Sequence, residues 1–314
     1  MHLSKDSKAN LLAKANQVYQ SYVALDFFKT KKLHNNTSLL EICTDAIKEN
    51  KLEQDITING TACELKITVD AQNNYNISFS RPVDFTNNQA ITKKITEYSD
   101  SEALNLLTKQ NFCLHQTGNN QFAVSNQIDD AGNAIGGPGK IDLYRSHLVT
   151  LHQIIEKIDR EEDVTNLLVA LATGTGKTYV QALWMYILGL SGKTGVFGIP
   201  DKLIPQFQDD LKRLLPDAFV DDISILRKDA SNEKLKTGTI TLASSEELLD
   251  KHYQSLLDTD PDTTFLSFDE QHLLMTFERR RVRLIELSKK ILTMFLTATP
   301  QPETYELAGN RPVA

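Results

Sequence analysis

The sequence has 314 residues, 40% of them hydrophobic, with 34 Lys and Arg against 41 Asp and Glu and a net charge of −7. That length suits two domains with separate cores. The acidic balance excludes a polycation that coats nucleic acid, leaving any such contact to local basic clusters. Cys43, Cys63 and Cys113 form no Cys-x-x-Cys pair, which fits reduced thiols better than a disulfide framework or a zinc site. The polar N-terminus has no apolar signal region. The most apolar run, Ala182 to Leu190, is shorter than the about 20 residues a bilayer span needs. A soluble, cytoplasmic protein is expected.

Apolar residues at Leu11, Leu12, Val18, Tyr22, Val23 and Leu25 predict a helix over Leu3 to Lys32. A second helix is expected over Ser38 to Glu49, with Ser38 as N-cap and Glu41 at the capping-box position. The period then becomes two. Asp55 to Gly60 and Glu64 to Val69 alternate apolar and polar residues around an Asn-Gly signal and predict a hairpin. Tyr75 to Phe79 adds a strand, Glu102 to Lys109 a helix, and Gln121 to Val124 another strand. Residues 1–128 thus read as a small α+β accessory domain. Asp129 to Lys140 concentrates Gly, Pro, Asn and Asp and is placed as the linker.

From 141 to 314 strands and helices alternate. The strands are Asn166–Ala172, Thr194–Ile199, Ile223–Leu226, Thr239–Ala243, Thr263–Phe268 and Ile291–Thr297. Between them lie helices over Lys177–Leu190, Leu203–Leu214, Glu246–Leu257 and Phe277–Lys290. Short apolar runs of this kind imply a parallel sheet with helices on both faces, an α/β fold.

Three segments carry chemistry. Leu167 to Thr178 runs from an apolar strand into a glycine-rich turn, Thr173-Gly174-Thr175-Gly176, and a helix opening at Lys177-Thr178. Such a turn lets backbone N–H groups wrap phosphate oxygens. Lys177 supplies positive charge, and the Thr178 hydroxyl can ligate Mg²⁺. The strict pattern asks for Gly where Leu171 stands. Thr264 to His272 is a strand ending in adjacent carboxylates, with Asp269 suited to Mg²⁺ and Glu270 to activating water. Leu292 to Pro300 is a strand leaving through Thr297-Ala298-Thr299.

In this order, Ala172–Thr178, Asp269–His272 and Leu296–Pro300 resemble motifs I, II and III of superfamily 2 DExD/H helicases. Motif I is similar to that of type I and III restriction translocases, while the Gln of the Asp-Glu-Gln-His box resembles fork-remodelling helicases. The resemblance implies a P-loop, RecA-like first domain over 141–314 that uses ATP and Mg²⁺ to move on nucleic acid, with double-stranded DNA favoured over RNA. The other reading left open is a nucleotide-responsive module that binds a partner without translocating. The resemblance further implies that His272, Thr297 and Thr299 couple the γ-phosphate to domain movement. Pro200, Lys202 and Gln206 lie in a segment resembling motif Ia, which contacts the nucleic-acid backbone. Gln153 is the candidate reader of adenine, or else an exposed helix position. Arg279, Arg280 and Arg281, in the densest basic run, are a solvated helix face or a phosphate-contacting stripe.

Such motors use two RecA-like domains, and only fourteen residues follow Pro300. The chain is therefore expected to be the N-terminal part of a longer protein, weak in hydrolysis alone, its second RecA-like domain supplied in cis or by a partner chain. His2, His34, His115, His147 and His252 show no ligand spacing and read as structural or surface residues. Glu64-Leu-Lys66, with Asp55, Glu41 and Glu53, resembles a nuclease triplet or is simply a solvated strand face.

Overall fold

The structure, a computed structural model, describes residues 3–33, 35–58, 60–71, 73–80, 111–119, 121–127, 145–160, 166–172, 174–226, 235–300 and 302–307. They group into two compact units, Met1–Ala15 with Tyr144–Ala314, and Asn16–Leu143. Helix α1 (Lys5–Thr30) gives its first part to one unit and the remainder to the other. The stretch read as a linker and the helix expected over 102–109 lie outside the described residues.

In the smaller unit, α2 (Leu39–Lys48) begins at the expected capping box. Glu41 N–H donates to Ser38 Oγ at 3.2 Å, and Ser38 N–H donates to Glu41 Oε2 at 2.6 Å. Strands β1 (Glu53–Ile58), β2 (Thr61–Val69), β3 (Tyr75–Phe79), β4 (Asn111–Gly118) and β5 (Gln121–Gln127) form an antiparallel sheet in sequence order. Ile58 pairs with Thr61, leaving the Asn-Gly dipeptide as the turn, and Gly60 takes a φ of +79°, the sign a tight hairpin turn requires. Alternation on β2 buries Cys63, Leu65 and Ile67 and leaves Glu64 and Lys66 exposed. Ile67, Ile77 and Phe112 are cross-strand neighbours, and Phe28 of α1 packs on Phe112 with ring centroids 4.4 Å apart. The apolar face is therefore covered by helix. Lys66 Nζ pairs with Glu53 at 2.7 Å on the outward face. Among the described residues no three His, Cys, Asp or Glu side chains are grouped to hold a metal ion.

The larger unit is a six-stranded parallel sheet. Its elements after α1 are α3 (Arg145–Arg160), β6 (Asn166–Ala170), α4 (Lys177–Leu190), β7 (Thr194–Ile199), a 3₁₀ turn (Asp201–Leu203), α5 (Ile204–Leu214), α6 (Asp217–Asp221) and β8 (Ser224–Ile225). Then follow β9 (Ile240–Ser244), α7 (Ser245–Asp250), α8 (Tyr253–Leu257), β10 (Thr264–Asp269), α9 (His272–Met275), α10 (Glu278–Lys290), β11 (Leu292–Thr297) and α11 (Pro302–Leu307). The sheet order is β6-β11-β10-β7-β9-β8, every pairing parallel. Strand alternation sends Leu168, Val196, Leu266, Phe268 and Phe295 into one core with Leu248, Leu284 and Leu287 of the helices. The opposite face takes Phe265, which meets Trp184 edge-on at 6.5 Å. Helix α4 is buried from Val180 to Leu188, as a helix apolar all round must be.

The helix expected over 246–257 is two helices, α7 and α8. The sequence holds no Gly or Pro there; the break comes from tertiary contact. Arg283 of α10 donates from Nη1 to the carbonyls of Leu249 at 2.5 Å and Asp250 at 3.3 Å, capping α7. Its guanidinium also lies over the Tyr253 ring, 4.8 Å from the centroid. Arg283→Ala is expected to destabilise this unit by about 1.5–3 kcal/mol, the worth of hydrogen bonds to a charged donor, read by chemical denaturation. A change within error would show that the cap is not what holds α7 in place.

The amino-terminal edge of the sheet is fastened by the start of α1. Asp262 accepts from Ser4 N–H at 2.6 Å and Ser4 Oγ at 2.8 Å, and Ser7 Oγ donates to the Asp262 carbonyl at 2.7 Å. Buried Lys193 donates to Ser7 Oγ, and Asn10 reaches the Ser191 carbonyl at 3.2 Å.

Candidate functional site

The loop between β6 and α4 turns on two glycines in the left-handed region, Gly174 at φ +79° and Gly176 at +87°, where a side chain costs about 1–2 kcal/mol. Thr175 closes the loop on itself: its Oγ1 donates to the Ala172 carbonyl at 2.6 Å and its N–H at 3.2 Å. Gly176 caps α4, so Lys177 and Thr178 open the helix. Thr173 lies outside the described residues.

Three loops meet here because β6, β11 and β10 are adjacent and parallel, placing their carboxyl ends side by side. Leu171 N–H donates to the Thr297 carbonyl at 3.2 Å, tying the first loop to the third. Lys177 Nζ sits 3.4 Å from the Leu171 carbonyl and 3.6 Å from Glu270 Oε1. Glu270 Oε2 is 3.3 Å from His272 Nδ1, which is 3.2 Å from Thr297 Oγ1. Thr297 Oγ1 in turn accepts from Thr299 N–H at 3.1 Å. One line of polar contacts thus runs Lys177–Glu270–His272–Thr297–Thr299.

Electrostatics sharpen the carboxylate end. Burial, then the neighbouring Glu270 charge, pushes the Asp269 carboxyl up to about 6, against the opposing pull of the Glu270 N–H and Lys177. That N–H donates to Asp269 Oδ1 at 3.0 Å. Glu270 itself holds a φ of +47°, uncommon for a residue with a side chain and of the kind found at functional sites. Gln271, buried, donates from Nε2 to the buried Thr304 hydroxyl of α11 at 2.8 Å.

The remaining candidates are dispersed. Lys202 and Gln206 are exposed just beyond the carboxyl end of β7, with Pro200 half-buried beside them. In the basic run, Arg280 is bound to the Asp250 carboxylate through Nη2 at 2.7 Å and Nε at 3.2 Å. Arg279 is exposed and Arg281 half-exposed. Gln153 lies on the exposed face of α3. His147, six residues earlier, is fully buried against the loop, its Nε2 2.8 Å from the Thr175 carbonyl. The helix period places these two on different faces. His147 occupies the buried stripe with Leu151, Ile154 and Ile158, so helical spacing marks it as inward-facing, but nothing in the sequence links it to a loop some thirty residues on.

Residues 140–302, just over half the chain, match the family described as "Type III restriction enzyme, res subunit". This chain belongs to that family. It is a superfamily 2 DExD/H helicase or translocase domain related to restriction-enzyme translocase subunits, and its RecA-like sheet is the one described above. No match was found among curated proteins. Among solved structures, the res-family chain is similar to the Sulfolobus solfataricus SWI2/SNF2 ATPase core in complex with dsDNA, at 16% identity and a TM-score of 0.38 over 51% of this chain and 33% of that one. It is similar to the UvsW helicase from bacteriophage T4, at 16% and 0.39 over 55% and 58%. A third similarity is to the Pyrococcus furiosus Hef helicase domain, at 21% and 0.36 over 51% and 35%. The chain spans between 33% and 58% of the length of these three. Among the described residues no helix is long and apolar enough to cross a membrane.

Proposed function

We propose that this res-family chain binds ATP with Mg²⁺ and hydrolyses it to drive movement on nucleic acid, double-stranded DNA in preference to RNA. The observation that carries the reading is the line of contacts from Lys177 through Glu270 and His272 to Thr297, which joins all three motif loops at one sheet edge. The loop amides and the amino end of α4 suit phosphate oxygens, and Lys177 adds a compact charge for the β/γ-phosphates. Thr178 and Asp269 suit Mg²⁺. An ion that keeps waters and takes phosphate oxygens needs only one or two protein ligands, and a cation beside the half-buried Asp269 and Glu270 offsets the burial and the neighbouring charge that raise Asp269. When bound, Mg²⁺ supplies charge neutralisation on the phosphates.

In this reading Glu270 orients the attacking water and takes its proton. Its contact with His272, and that of His272 with Thr297, pass the state of the phosphate end to β11. Lys202, Gln206, Arg279 and Arg281 are the candidate backbone contacts, whereas Arg280 is engaged by Asp250. A second RecA-like domain, in cis or on a partner chain, supplies the arginine finger. The preference for double-stranded DNA rests on membership of the restriction family.

The test is steady-state ATP hydrolysis with double-stranded DNA, single-stranded DNA and RNA, with Lys177→Ala as the blank. Stimulation by double-stranded DNA that disappears in the blank is expected. Stimulation by RNA alone would overturn the substrate. Nucleotide binding through Lys177 with no response to any nucleic acid would favour the non-translocating module.

A further inference from the structure

We infer that His147, on α3, is a positioning residue that aims the nucleotide-binding loop. The inference rests on the proposed nucleotide-binding reading, but four features of the structure support it independently of the motifs.

First, the imidazole is fully buried, on the helix face that also buries Leu151, Ile154 and Ile158. Second, its Nε2 lies 2.8 Å from the Thr175 carbonyl oxygen. A carbonyl only accepts, so Nε2 must carry the proton, which fixes the tautomer. Third, a Cβ built on Gly176 would stand 2.2 Å from His147 Nε2 and 2.7 Å from Cε1. The space beside the glycine is thus filled by the histidine. Fourth, the ring stacks on Tyr179 of α4, with centroids 5.0 Å apart and planes inclined by 15°, which backs it on one face. Burial holds the imidazole below its ordinary pKa, with the Thr175 carbonyl pulling the other way, and a neutral ring is what that apolar setting favours.

The mechanical consequence follows from the planar trans peptide. Carbonyl and N–H of one peptide unit point to opposite sides. Holding the Thr175 carbonyl toward α3 therefore turns the Gly176 N–H away from α3, toward the open side of the loop where a phosphate oxygen would sit. Without the donor, the Thr175–Gly176 peptide loses the hydrogen bond on its carbonyl and can turn about the Thr175 ψ and the glycine φ of Gly176, although the Thr175 N–H and hydroxyl stay tied to Ala172. His147 then sets nucleotide affinity without touching the nucleotide. It also gives Gly176 a second reason to be glycine, beyond its positive φ.

Two substitutions separate donor from packing. His147→Phe keeps the ring and the stack on Tyr179 but has no N–H. His147→Gln places an amide N–H near the position of Nε2. Binding of the fluorescent probe mant-ADP with Mg²⁺ to the full chain is measured for both. His147→Phe is expected to bind about tenfold more weakly, equivalent to about 1.4 kcal/mol, with His147→Gln recovering most of the loss. Hydrogen exchange of the loop amides in the nucleotide-free chain gives a second readout, faster in His147→Phe and restored in His147→Gln. Equal affinity and exchange in His147→Phe and the parent would overturn the proposal, as would equal loss in both variants. If the parent fails to bind mant-ADP, the nucleotide reading fails, while the exchange data still decide whether His147 orders the loop.

Discussion

Glu270→Gln is expected to lower nucleic-acid-stimulated ATP hydrolysis by about 10²–10⁴-fold, the usual worth of a general base, while mant-ADP affinity stays close to that of the parent. The substitution keeps shape and the left-handed backbone, and its amide can still bond to His272. It removes the proton acceptor and the negative charge facing Lys177 at 3.6 Å. Loss of that charge does not weaken phosphate binding, because Lys177 is then freed of a competing anion. Affinity and turnover should therefore separate, and that separation is the informative result. Turnover within tenfold of the parent would remove Glu270 from the chemistry, and a parallel collapse of binding would make its role structural.

The second expectation concerns the opposite edge of the sheet. Leu11→Ala should destabilise the larger unit by about 2–5 kcal/mol, the range for truncating a buried leucine, because Leu11 is fully buried in the stretch of α1 that belongs to that unit. The chain has one tryptophan, Trp184, buried on α4 of the same unit, so its emission during denaturation reports the transition directly. The anchors around Leu11 lie before β7 and β10, at the amino ends of strands whose carboxyl ends carry the candidate site. The variant's nucleotide affinity at low denaturant should accordingly be unchanged. An unshifted Trp184 transition would mean that these fifteen residues do not belong to the RecA-like core.

The parallel sheet was largely legible in the sequence because buried parallel strands are continuous apolar runs, and β7 and α4 fall on the expected residues. The antiparallel hairpin was legible for the opposite reason: one face is wet, so Cys63, Leu65 and Ile67 alternate with Glu64 and Lys66. Strand β4 was not anticipated. Phe112, Cys113 and Leu114 are all buried, so both faces are apolar there and the two-residue period vanishes. The break between α7 and α8 left no local trace, since its cause, Arg283, is some thirty residues away. At the candidate site, Lys177, Glu270, His272 and Thr297 come together as their order in the motifs implied. Gln153, read as an adenine reader or an exposed helix position, is exposed, and His147, read as a structural or surface residue, is buried against the loop. Helix phase alone would have separated the two faces, but which face meets the loop is settled by how α3 packs.

The buried bond between Gln271 and Thr304 links the carboxylate pair to the chain beyond Pro300. An amide sealed from water cannot exchange its partner for solvent at little cost, so α11 and the backbone around Glu270 are geared together. Tugging on α11 loads the peptide next to Glu270, which holds a positive φ. Gln271 belongs to the Asp-Glu-Gln-His box and Thr304 to the helix after Pro300, so a single side-chain contact carries any movement of α11 to the carboxylate loop.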